Sequence, residues 1–434
     1  MTAPRQSCRL CGWASFTSTK SSNDRVRMTE LTRAHKFARL AAIFVAGVFA
    51  FMLTAWVLED PREHVMTDWT SFDIAADRLF SGENIYQPWN QDTEPLPYLY
   101  PPFALWLVLP LAFLGFWASF AVSALTPLAA YIAGLRKLGR AEPGKVDRTT
   151  GFIIALASGP AIGANLIGQY SGLYVLAFGA AALLYTKDKR VLAGLVLAFL
   201  WIKPNIAIVV PFALVWSRSW RPLKGFVGGT ALMLALSLPF GLDRWSGFAS
   251  NIANMAELQE RGVVPIDKMV TVLSSAQTLF GLEAAVGPSV VIWGVVALIL
   301  GVAVLVVWTP ARLAESPVRA FGALAVFAVI ANPRLYFYDS SLLLMGVYGL
   351  WLSASVRGSA IAARWTGILA LLLWAGSWGS LFPVLNPVVG PTAALVLLVT
   401  AVDARRPVET SVTTVAFGAD ELPPALEISV DEAA

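Results

Sequence analysis

Residues 37 to 58 read FARLAAIFVAGVFAFMLTAWVL. Roughly 20 helical residues cross the hydrocarbon core of a bilayer, so this run predicts one membrane span. Arg25, Arg27, Arg33, Lys36 and Arg39 lie before it or at its start. Basic residues stay on the cytoplasmic side, so the span carries the chain outward. The run is too long for a signal peptide and lacks a small-residue cleavage site, so it reads as a retained span.

The segment it delivers is unlike the rest of the chain. It runs TDWTSFDIAADRLFSGENIYQPW from Thr67, then a short polar gap, then PLPYLYPPFALWLVLP ending at Pro110. From Glu59 to Tyr100 there are nine acidic residues and two basic ones, Arg62 and Arg78. The 434-residue chain as a whole is 57% hydrophobic and only 14% charged. Soluble domains are nearer half apolar and a quarter charged. These values predict an all-α polytopic membrane domain over residues 37–403, with a carboxylate-rich outward loop at 59–100. The flanking segments 1–36 and 404–434 read as disordered cytoplasmic tails. Met28 opens MTELTRAHKFARL and is a second candidate start. A net charge of +4 spread in short clusters between apolar runs gives no nucleic-acid partner. Cys8 and Cys11 form one Cys-x-x-Cys, and with only two histidines in the chain no metal site is expected.

Past the loop, Pro101 to Leu135 is too long for one straight span. Gly115 and Pro127 interrupt it. The spacing predicts a re-entrant or interfacial helix over Pro102 to Phe113 and a crossing from Phe116 to Leu135; two full crossings are the alternative. Gly151 to Tyr185 and Val191 to Trp216 each read as a helical hairpin rising from the basic side. Their polar breaks are Asn165, Gly168, Gln169 and Ser171 in one, and Lys203-Pro204-Asn205 in the other. Broken helices are tolerated at membrane depth only where the freed backbone meets protein or a wet cavity, so the two breaks predict one shared cavity. A span begins at Phe226, and Gly241 to Leu282 reads as a packing loop. Further spans follow at Ala284–Trp308, Phe321–Ala331, Ser341–Val356, Trp365–Leu381 and Thr392–Val402. This register gives about 12 crossings and places every basic cluster between spans on one side.

Ionisable residues at membrane depth default to functional hypotheses. Asp68 follows the first span. Asp73 and Asp77 share a helix face by their i, i+4 spacing, beside Arg78, and equally suit a solvated interfacial helix. Asn165 and Gln169 have the same spacing and suit either substrate binding or interhelical hydrogen bonds. Lys203 suits either a phosphate or snorkelling to a headgroup. Arg334, Tyr336, Tyr338 and Asp339 cluster at a later span end, where Arg334 suits either an ion pair with Asp339 or a phosphate. Tyr86, Trp89, Tyr98 and Tyr100 suit an interfacial belt or sugar stacking. This inventory matches sugar transfer from a lipid phosphate. A carboxylate takes the proton of an acceptor hydroxyl, cations stabilise the charge on the leaving phosphate, and apolar flanks hold a lipid tail. No Walker A or Rossmann glycine pattern is present.

The order of the motifs resembles family 87 glycosyltransferases, the polyprenyl-phosphate-mannose-dependent mannosyltransferases of the GT-C class. The residues carrying the likeness are Asp68 with Phe72 and Ala76, Gly82 and Tyr86, YLYPPF at Tyr98 to Phe103, and Pro110. They continue through NLIGQYSGL at Asn165 to Leu173, IKPN at Ile202 to Asn205, and NPRLYFYD at Asn332 to Asp339. The likeness spans about residues 40 to 350. It implies a GT-C fold, an extracytoplasmic active site and an inverting transfer that needs no metal or other cofactor, with Asp68 as the base. The mannosyltransferase branch carries histidines near the later proline motif. Here that segment reads Tyr338-Asp339, and the two histidines are His35 and His64.

The expectation is a multi-pass plasma-membrane hexosyltransferase with Asp68 as catalytic base. Its partners are a polyprenyl phosphate sugar donor, a glycolipid or cell-envelope glycan acceptor, and membrane lipids. Asp73, Arg78, Tyr98, Tyr100, Asn165, Gln169, Lys203, Arg334, Tyr338 and Asp339 are the expected substrate contacts. A secondary transporter is the rival reading; it would show paired broken helices in both halves, whereas the breaks at Asn165 and Lys203 fall in one. A non-catalytic envelope assembly protein would tolerate loss of the loop carboxylates.

Overall fold

A computed structural model describes residues 36, 39–48, 50–51, 54, 67–87, 97–142, 148–158, 163–164, 167–260, 268–280, 288–356, 368, 372, 374 and 386–405. The described residues are helical and form no strand; one isolated antiparallel bridge joins Met269 and Tyr336. The helices are α1 (Arg39–Val48), α2 (Thr67–Ser81), α3 (Pro102–Phe113), α4 (Phe116–Ala141), α5 (Arg148–Leu156), α6 (Ser171–Thr186), α7 (Arg190–Ile202) and α8 (Pro204–Trp216). They continue as α9 (Trp220–Ser237), α10 (Asp243–Ala253), α11 (Met255–Glu260), α12 (Val272–Phe280), α13 (Pro288–Val307), α14 (Pro310–Glu315), α15 (Pro317–Ile330), α16 (Ser340–Val356) and α17 (Asn386–Arg405). Among the described residues, four helices are long and apolar enough to cross a membrane, namely most of α4, α9, α13 and α17. The expected span at 365–381 lies outside the described residues apart from three positions, and so do both tails apart from their innermost residues.

The Pro101-to-Leu135 stretch resolves into the broken α3, part 3-10 and part α, and the 26-residue α4. Pro102 and Pro110 start new turns within α3, since proline has no N–H to give to a continuing helix. The span expected from Phe226 starts earlier: α9 begins at Trp220 and carries Arg221 and Lys224, both exposed, in its first turns. Long basic side chains tolerate this position because their heads reach water while their stems cover apolar surface.

Strand-like register cannot order a helical bundle; close backbone approaches do. Tyr131 Oη donates to the Ala155 carbonyl (2.7 Å) and Arg148 to that of Glu142 (2.7 Å), so α5 runs antiparallel to α4. A Cβ on Gly172 would strike the Pro127 carbonyl, and one on Gly179 that of Gly134, so α6 runs parallel to α4. The chain therefore rises on α5 and returns on α6, and 151–185 is a hairpin. Likewise Gly194 abuts Pro222, Gly229 abuts Ala198, and Trp201 Nε1 donates to Thr230 Oγ1 (2.8 Å), so α7 and α9 are parallel. Helix α8 must descend between them, which makes 191–216 the second hairpin. Small residues at helix crossings, letting backbones touch, are the usual packing device where the solvent is as apolar as the core.

Helices α15 and α16 form a third antiparallel pair, with Gly322 against Gly346. Trp308 Nε1 donates to the Ala320 carbonyl (2.6 Å) and Trp293 Nε1 to that of Ala331 (2.9 Å), setting α13 antiparallel to α15. All these pairings put Arg140, Lys187, Lys189, Arg218, Arg221 and Arg312 toward one end of the bundle. The tips of both hairpins and the turn between α15 and α16 gather at the other.

Candidate active site

Three turns and one helix start meet at that second end. The first turn follows Ala164. Gly168 has φ +82°, and the Gln169 N–H closes back on the Ala164 carbonyl at 2.8 Å. Such a six-to-one bond with glycine in the left-handed region is a Schellman closure. A Cβ on Gly168 would also lie 2.6 Å from that of Trp69. Trp69 holds the junction from the other side: its N–H donates to the Ile167 carbonyl (3.0 Å) and its Nε1 to Ser119 Oγ (3.3 Å). The start of α2 is thus fastened to the first hairpin tip, and Asp68, one residue earlier, is set against Gln169.

Gln169 is buried and its amide is used at both ends. Nε2 donates to Asp68 Oδ2 (2.6 Å), and Oε1 accepts from Tyr100 Oη (2.8 Å). Asp68 lies on the loop helix α2, outside the membrane-spanning helices. Its carboxyl is pushed up from 3.8 to about 6. Desolvation is the main cause, the nearby Asp339 adds to it, and the Gln169 bond and the Lys203 cation oppose it.

The second tip breaks at Lys203. A residue preceding proline is steered out of the α region, and Lys203 has φ −124° and ψ 86°, while Pro204 opens the returning helix. The freed ammonium meets Asp339 Oδ2 at 2.5 Å and lies 4.9 Å from the centre of the Tyr338 ring. Asp339 has no exposed side-chain surface, whereas the Lys203 side chain keeps 14%. Ser171 Oγ donates to the other Asp339 oxygen (3.2 Å). A pair of amides clasps the tip to the third turn: Asn332 Nδ2 donates to the Asn205 carbonyl (3.1 Å) and Asn205 Nδ2 to Asn332 Oδ1 (3.4 Å). The pairing weighed from sequence, Arg334 with Asp339, is corrected here. Lys203 takes the carboxylate, because the X-Pro break aims it across the gap. Arg334 is half-buried and has no carboxylate partner among the described residues; its backbone N–H is capped by Asn332 Oδ1 (2.9 Å).

Of the expected substrate contacts, Tyr100, Gln169, Lys203, Tyr338 and Asp339 are brought together around Asp68. Tyr98 stands behind them, edge-on to Phe72 and fastened by Asn251 Nδ2 to its carbonyl (3.3 Å). Asp73 and Arg78 are not gathered in. Asp73 is half-buried on another face of α2, where burial and the Asp77 charge raise its carboxyl. Arg78 is buried three turns further on, near Gln87. Asn165 lies outside the described residues. Sequence reasoning named Ser171 only as a polar break, without its bond to Asp339, and did not single out Trp69. Each adjoins a motif residue, but serine and tryptophan carry no pattern that tells a site partner from packing. The packing reading of the Gly241-to-Leu282 loop fits what is described: Trp245 of α10 packs on Phe103 and Phe248 on Tyr86.

Helices of this kind around a gathered carboxylate, amide and ammonium define a membrane-embedded protein with a polar site at one end of its bundle. Residues 98–333 match the family described as glycosyltransferase family 87, more than half of the 434-residue chain, and the chain belongs to that family. It is therefore a glycosyltransferase. The matched region contains Tyr100, Gln169 and Lys203; Asp68 precedes it and Asp339 follows it. No curated protein and no solved structure matches the chain.

Proposed function

We propose that the chain transfers a sugar, mannose, from a polyprenyl phosphate donor to a glycolipid or cell-envelope glycan at the outer face of the plasma membrane, with inversion. In this reading it crosses the membrane about 12 times in a GT-C arrangement, with the basic ends of its helices in the cytoplasm. Asp68 takes the proton of the acceptor hydroxyl. That oxygen forms a bond to the anomeric carbon while the bond from this carbon to the phosphate oxygen breaks. The electron pair leaves on the phosphate, whose new charge Lys203 and Arg334 stabilise.

The observation that carries the reading is the gathering of Asp68 and Lys203 in one cluster, with Asp68 raised to about 6 yet partly exposed. A general base works best with a pKa near the operating pH, and it must reach its substrate. Asp339, fully enclosed, cannot. The transporter reading receives no support from the described residues, because the two interrupted hairpins lie in the same half of the chain.

Asp68→Asn keeps the shape and the Gln169 contact but removes the base. Transfer from radiolabelled polyprenyl phosphomannose in membranes is expected to fall about 10²- to 10⁴-fold. Transfer by this variant at the wild-type rate would remove Asp68 from the mechanism.

A further inference from the structure

Asp339 joins three separate tips while its side chain has no exposed surface. One oxygen holds Lys203 of the second hairpin and the other holds Ser171 (2.5 and 3.2 Å). Ser171 is two residues from Gln169, so the same carboxylate fixes both the ammonium and the start of the helix behind the Asp68 partner. An ammonium has three N–H donors. Among the described residues Asp339 is the one acceptor for Lys203 Nζ, and the Tyr338 ring covers another side. The remaining donors are left for an incoming group on the 14% of the side chain that stays open.

From this we infer that Asp339 is a positioning residue of the donor-phosphate site, acting through Lys203 and touching no substrate itself. The inference rests on the proposed function, since it takes Lys203 as the phosphate-binding cation. A flexible four-carbon stem would otherwise spread the ammonium over many positions, and ordering it on binding would cost affinity. Asp339 and the Tyr338 ring order it beforehand. Enclosure alone would make the Asp339 charge costly; the cation it places offsets that cost.

The test is a double-mutant cycle on the full chain in membranes, measuring KM for the donor, KM for the acceptor and kcat. Asp339→Asn is expected to raise the donor KM about 10- to 100-fold and to leave the acceptor KM unchanged. On a Lys203→Met background the same change is expected to add less than about 2-fold, because residues acting as one unit are not additive. Equal effects of Asp339→Asn in both backgrounds overturn the inference, as does a fall in kcat at constant donor KM. If Asp339→Asn fails to accumulate, because it strands a buried cation, Asp339→Glu makes the same comparison. Its longer stem displaces the ammonium while keeping the charge, and a wild-type donor KM in that variant also overturns the inference. A wild-type donor KM in Lys203→Met instead sinks the phosphate role of Lys203, so failure of the underlying reading is told apart.

Discussion

Asp68 carries two opposed consequences of one fact, its partial enclosure beside Gln169, Lys203, Asp339, Tyr100 and Tyr338. Catalysis by a base requires the ionised form, so kcat/KM is expected to rise with pH through about 6 and level off above it. Removing the Lys203 cation takes away a charge that favours the carboxylate, so in Lys203→Met the limb should move to higher pH. Stability has the other sign. A carboxyl raised on folding favours the folded state while protonated, fully below the unfolded value of 3.8, and that contribution is lost as pH rises through about 6. At neutral pH the charge therefore destabilises the fold. Asp68→Asn should stabilise the fold at pH 7 to 8, by no more than about 3 kcal/mol at roughly 1.4 kcal/mol per pH unit, and so raise the melting temperature. Thermal unfolding in detergent at pH 5 and pH 8 checks this: a benefit equal at both pH values contradicts the enclosure of the charge.

The turn at Gly168 shows how an element places a residue it does not contain. Its left-handed backbone and its contact with Trp69 both exclude a side chain. Gly168→Ala adds about 1 kcal/mol or more of backbone strain and forces the Trp69 backbone away. That separates Gln169 from Asp68, so kcat/KM is expected to drop more than about 10-fold, matching the loss of one charge-assisted hydrogen bond. Wild-type kinetics in a folded Gly168→Ala would show that the tip does not hold the base. At this scale the sequence was readable where chemistry breaks a helix. The Gly-Gln and Lys-Pro interruptions announced the hairpin tips because a helix cannot pass them unchanged. The partner of Lys203 was not readable, since Asp339 lies 136 residues away and Arg334 offered a nearer alternative. Asp73 and Arg78 stand beside Asp68 in the sequence as expected substrate contacts. Only the direction of α2, fixed by Phe72, Ala75 and Ala76 entering the core, turns them elsewhere.

For the whole molecule, the pairings of α4 with α6 and of α7 with α9 decide which ends share a side. Parallel neighbours joined by a helix that runs the opposite way put the basic turns together at one end and Asp68, Gln169, Lys203 and Asp339 together at the other. In the proposed reading the positive-inside rule puts the basic end in the cytoplasm. The assignment can be read directly once Cys8 and Cys11, the two native cysteines, are replaced by serine. Glu83, just past α2, and Lys187, at the start of the turn between α6 and α7, are both exposed. In intact cells a membrane-impermeant maleimide is expected to label Glu83→Cys, and to label Lys187→Cys only after permeabilisation. The reverse pattern would put the site in the cytoplasm, where a nucleotide-activated sugar is at hand and a polyprenyl phosphate donor loses its rationale. Labelling of both in intact cells would mean that the hairpins do not share one basic side, and the bundle order derived from the glycine crossings would fall with it.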